Sequence, residues 1–155
     1  MDNNKAVDIL NKLIEINNDR IEGYDTASKE TEELDLKQLF DKLKGTSEDC
    51  NQELIEEVLA LNGTPTEGTK TTGKFFRAWM DVKAALSGKD RKVILDSCEF
   101  GEDNAVATYD KVIKNDLSHL SSSQIDMVQY QRSVIKKDHD EVRSLRDSAK
   151  LEKVL

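Results

Sequence analysis

Four long segments with helical periodicity, no run of alternating apolar residues, and one long interior connection predict an all-α protein. The expected architecture is a four-helix bundle with a short crossover helix between helices 2 and 3. Composition agrees with it. The 155 residues suffice for one hydrophobic core, and 37% hydrophobic against 35% charged residues with a single Pro suits helices that bury one stripe and solvate the other.

The first segment runs from about Asn4 to Glu32 and places Leu10, Ile14, Ile21 and Tyr24 on one face, with Leu13 beside them. The second, Leu34 to Leu61, aligns Leu36, Leu39, Phe40, Leu43, Cys50, Leu54, Val58 and Leu61. Asn62-Gly63-Thr64-Pro65 then supplies the stop expected after a helix. Residues 63–73 are a loop by composition, followed by a short amphipathic helix along which Phe75, Trp79, Val82 and Leu86 line up before Gly88. The third long helix starts after Asp90, an N-cap residue type, and reaches about Asn115. The fourth opens at Ser121, where Ser121 and Gln124 fit a capping box, and carries Val128, Ile135 and Val142. Residues 1–147 read as one domain, and 148–155 as a charged tail.

The connections set the topology. Helices 1 and 2 are joined tightly, as are 3 and 4, so each pair forms an antiparallel hairpin. The middle connection carries its own helix of about 14 residues, which covers roughly 20 Å at 1.5 Å per residue. Flanking loops add the rest of a bundle's length, so helices 2 and 3 are expected to run parallel.

A formal charge of −8 disfavours nucleic-acid and anionic-membrane partners, since that field repels phosphates. No stretch approaches the roughly 20 apolar residues of a membrane helix. MDNNKAVDIL lacks the basic stretch and apolar core of a signal peptide. Cys50 and Cys98 match no zinc or redox spacing. A cytoplasmic protein with free thiols is expected.

The blocks LNKLIEINNDRIEGY, FFRAW, CEFGEDNAVATY and KKDHDEVRSLRD, spread over nearly the whole chain, resemble an uncharacterised family of bacterial ferritin-like four-helix-bundle proteins, a domain of unknown function. The Gly-Glu-Asp of helix 3 and the His-Asp of helix 4 are the most telling. The resemblance implies the bundle fold and carries no activity.

Ferritin-like di-iron sites take one Glu from each of two helices and a Glu-x-x-His from each of the other two, all facing inward. Here the inward central residue of helix 1 is Asn17, while Glu22 turns to solvent. Helix 2 offers Ser47 and Cys50, and Glu48 points away. Helix 3 offers Glu102. Helix 4 offers His139, with Lys136 where the paired carboxylate belongs. Only Glu102 and His139 remain of six ligands, too few for two metals. Glu102 is therefore expected in a central polar layer whose candidates are Asn17, Arg20, Ser47, Gln131 and His139, with Arg132 as a further partner.

No catalytic residue, metal or cofactor is expected. Cys50 and Cys98 are expected as inert packing residues rather than nucleophiles beside His139, His119 as an exposed loop residue, and Trp79 as a core plug on the crossover helix. KKDHDEVRSLRD reads as a salt-bridged surface, Lys137 with Glu141 and Arg143 with Asp147. The expected function is that of a non-enzymatic bundle acting through self-association, as a homodimer or other homo-oligomer, or through protein partners. The alternative is a metal-binding or oxidoreductase-type protein holding one iron, manganese or zinc ion around Glu102 and His139, and a small-ligand pocket in the polar layer is a third reading.

Overall fold

A computed structural model of the chain describes residues 3–68 and 90–154, with side chains as far as Ala149. Four long helices dominate: α1 (Asn3–Glu30), α2 (Leu34–Ala60), α3 (Arg91–Asn115) and α4 (Ser122–Val154). A single 3-10 turn, Leu117–His119, links α3 to α4. The expected crossover helix, with Trp79, lies outside the described residues. The stretch read as a charged tail from 148 is helical to Val154, and Ala149 is buried.

Helix ends follow the local chemistry. The Asp90 carboxylate accepts from the Val93 N–H at 3.3 Å, capping α3. Ser121 and Gln124 form a reciprocal box: the Ser121 N–H donates to Gln124 Oε1 at 2.9 Å, and the Gln124 N–H donates to Ser121 Oγ at 3.2 Å. α2 ends in a Schellman motif. The Gly63 N–H donates to the Val58 carbonyl and the Asn62 N–H to that of Leu59, while Asn62 takes the left-handed conformation at φ 61°. Gly63 is required by space, because a Cβ there would lie 2.6 Å from Val7 Cγ2.

Cross-helix bonds fix every direction. Ser28–Asp41, Arg20–Ser47 and Asn18–Asn51 make α1 and α2 antiparallel. Arg132–Asp110 and His139–Asp103 do the same for α3 and α4. Asn17–Tyr109 and Arg20–Glu102 set α1 antiparallel to α3. Both α2 and α3 oppose α1, so they run parallel, as the crossover argument requires. The start of the crossover is visible. Asn11 bonds the Thr64 carbonyl and the Thr66 N–H, and Asn18 reaches the Gly68 carbonyl, so residues 64–68 climb along α1 away from the end of α2.

The core divides in two. One compartment packs Leu10, Leu13 and Ile14 with Leu54, Val58, Tyr109, Val128 and Ile135. The other packs Tyr24 and Ala27 with Leu36, Phe40, Leu43, Leu95, Cys98 and Val142. Tyr24 stacks on Phe40 with ring centroids 5.9 Å apart. Between the compartments the inward positions are polar.

Gly63→Ala should lower stability by about 1–3 kcal/mol through overpacking. In a Val7→Ala background the same change should cost less, because the two sites share one space. Urea unfolding of the four proteins of this cycle measures the coupling, and equal losses in both backgrounds would refute the steric account.

Candidate functional site

Arg20 lies three residues after Asn17 and four before Tyr24, on the inward face of α1, and is fully buried. Its guanidinium touches all three other helices. Nη1 donates to Ser47 Oγ of α2 at 2.5 Å; Nη2 donates to Glu102 Oε1 of α3 at 2.8 Å and to Asp138 Oδ2 of α4 at 3.2 Å. The Tyr24 hydroxyl also donates to Glu102 Oε1, and the Arg20 guanidinium lies 5.6 Å from the centre of the Tyr24 ring. Ser47, Glu102 and Asp138 are all buried.

Charge explains the cluster. Burial alone would push the Arg20 pKa down, but Glu102 above all, with Tyr24 and Asp138, carries it above its ordinary value. Burial raises the Tyr24 pKa well above that of a free phenol, and the Glu102 charge adds to it, so the hydroxyl keeps its proton and donates it.

A second polar chain lies beside the first. Asn17 Nδ2 donates to the Leu13 carbonyl and to the Tyr109 hydroxyl, both at 2.8 Å. The Tyr109 hydroxyl donates to Gln131 Oε1 at 2.7 Å, and Gln131 Nε2 donates to the Cys50 carbonyl at 3.1 Å. The donors point one way along the chain, an arrangement in which each bond polarises the next. It too touches all four helices.

Of the residues singled out by sequence, Asn17, Arg20, Ser47, Glu102 and Gln131 thus lie in two adjoining networks. His139 does not join them. It is buried on α4 but turned to the α3 seam, where Nε2 meets Asp103 Oδ1 at 2.5 Å and Nδ1 meets Asp140 Oδ1 at 3.0 Å. Glu99, one turn before Asp103, meets Arg146 and lies 3.8 Å from Arg143. Arg132 pairs with Asp110 rather than Glu102. Glu22 and Glu48 are exposed, as expected. Sequence reasoning missed Asp138, although it sits three residues after Ile135 and four before Val142, on the apolar stripe. It also missed the hydrogen-bonding roles of Tyr24, placed only on the apolar face of helix 1, and of Tyr109.

The thiols are poor nucleophiles. Burial pushes Cys50 up to about 12, and burial with the Glu102 charge takes Cys98 further.

These assignments give two expectations. Glu102→Gln keeps an acceptor for Arg20 and Tyr24 and should cost about 1–2 kcal/mol. Glu102→Leu leaves Arg20 short of an anion and should cost about 3–5 kcal/mol. Denaturation midpoints that coincide for the two variants would contradict the ion-paired layer. Cys50 and Cys98 should react with a thiol reagent at neutral pH only as fast as the bundle opens, so labelling that outpaces opening measured by hydrogen exchange would contradict their burial.

None of the curated proteins compared matches the chain. A family match covers residues 5–115, from α1 through the end of α3, and leaves Gln131, Asp138 and His139 beyond it. By that match the chain belongs to the family described as Domain of unknown function (DUF2383).

Proposed function

We propose that this protein is a non-enzymatic, ferritin-like bacterial bundle of the cytoplasm, in which a guanidinium stands where a di-iron centre would be and which acts by self-association. The observation that carries the first part is the Arg20 ion pair with Glu102 and Asp138 at mid-bundle. A fixed positive charge opposes a divalent ion 4 Å away by about 8 kcal/mol at an effective dielectric constant near 20. One oxygen of each of the two carboxylates that would attract metal already accepts from Arg20.

Association is supported by the outward faces. Leu34 is 70% exposed and Tyr130 63%, and Val93 and Phe100, seven residues apart on α3, share one exposed stripe. Seven-residue spacing is what a helix–helix seam uses. No helix among the described residues is long and apolar enough to cross a membrane.

Ferrous ion added to the protein should oxidise no faster than in buffer. Sedimentation equilibrium should show a dimer or larger species that Phe100→Glu with Val93→Glu shifts toward monomer. Protein-accelerated iron oxidation would defeat the non-enzymatic reading, and a parent protein that stays monomeric at high concentration would defeat self-association.

A further inference from the structure

The seam between α3 and α4 holds a group that the mid-bundle arginine does not use. Glu99 and Asp103 are four residues apart on one face of α3, and His139 faces them from α4; one donor atom from each lies within 4.8 Å of the others. The His139 side chain is 7% exposed and that of Glu99 11%, whereas Asp103 is 58% exposed and leaves the group open to solvent.

The imidazole is over-supplied with acceptors. A neutral ring carries one N–H, yet both nitrogens face carboxylate oxygens, Nδ1 toward Asp140 and Nε2 toward Asp103. When Nδ1–H donates to Asp140, a lone pair on Nε2 confronts Asp103 Oδ1 at 2.5 Å, which is repulsive unless a cation lies between. A proton would satisfy those two atoms alone. Glu99, converging as a third donor from the next turn, is what a metal ion would use and a proton would not. Glu99 also meets Arg146 and lies 3.8 Å from Arg143, so a bound ion must draw that carboxylate away from Arg146. The Arg146 side chain is part-exposed and keeps Asp96 and Asp147 as partners, while Lys136 pairs with Asp140.

We propose that Glu99, Asp103 and His139 bind one divalent first-row transition ion of the zinc type, at a surface site separate from the bundle centre. One imidazole nitrogen and two carboxylate oxygens are ligands such ions accept, and three protein ligands leave a position for water. Around an ion bound at about 2.1 Å the donors stand about 3.4 Å apart. The His139–Asp103 pair, at 2.5 Å, must open to that separation, and Glu99, within 4.8 Å of both, must settle to it. Asp140 then acts from behind, holding Nδ1–H so that Nε2 faces the metal. Asp103 provides the entry side.

Zinc titrated into chelator-treated full-length protein, followed by calorimetry and by NMR of the histidine rings, tests this. The parent should take up one equivalent, with the His139 ring resonances shifting. His139→Ala and Asp103→Asn should each weaken binding at least about tenfold, and Asp140→Asn about tenfold. His119→Ala, which changes the only other histidine, should leave binding unchanged. Should His139→Ala fail to fold, Asp103→Asn decides, since that side chain is mostly in water. A parent that binds no zinc, or variants at His139 and Asp103 that bind as tightly as the parent, would overturn the proposal.

Discussion

One guanidinium, that of Arg20, reaches Ser47, Glu102 and Asp138, one side chain on each of the other three helices. A buried charge of this kind tolerates few arrangements. It must find its anions or forfeit several kcal/mol, so any slide or rotation of one helix that breaks a pair is disfavoured. Replacing the whole set with well-packed apolar residues is often neutral or stabilising. The ion pairs are therefore better understood as fixing register than as the source of stability, which rests with the apolar compartments on either side.

The neighbouring chain from Asn17 through Tyr109 and Gln131 to the Cys50 carbonyl repeats the same logic with neutral groups. Both networks tie α1 to α3 across the join between the two hairpins, where short loops give no help. Short loops place α1 against α2 and α3 against α4. Only side chains can decide how the hairpins face each other, and here polar ones do. The long connection then follows from geometry: α2 ends where α1 begins, α3 starts at the opposite end, and Asn11 and Asn18 guide the chain out along α1.

Neighbouring residues serve different surroundings because a helix turns about 100° per residue. Glu102 and Asp138 enter the core and neutralise Arg20, while Asp103 and His139, each one residue on, meet in the seam. The same rotation redirects the charged run of α4. Glu141 pairs with Lys42 of α2, and Arg143 lies near Glu99 of α3, in place of the pairs along the helix that spacing suggested. Partners on a neighbouring helix are within reach once two helices pack side by side, and the sequence of one helix cannot weigh them.

Periodicity determined the four helices and the inward direction of Asn17, Arg20, Ser47, Glu102 and Gln131, residue type marked the caps of α3 and α4, and connection length gave the parallel run of α2 and α3. A wheel reports angle, and angle suffices for the inward directions. It reports nothing about which residues share a level along the bundle axis. The tertiary structure therefore decided that Arg20 meets Glu102 and Asp138, that His139 stands apart from Glu102, and that Tyr24 and Tyr109 act through their hydroxyls. Asp138 was hidden within a run of charges whose composition resembles a solvated face, although its spacing from Ile135 and Val142 put it on the stripe. Glu99 and Asp103 sit at the edge of the α3 stripe, where only the arrival of α4 separates a seam from open solvent.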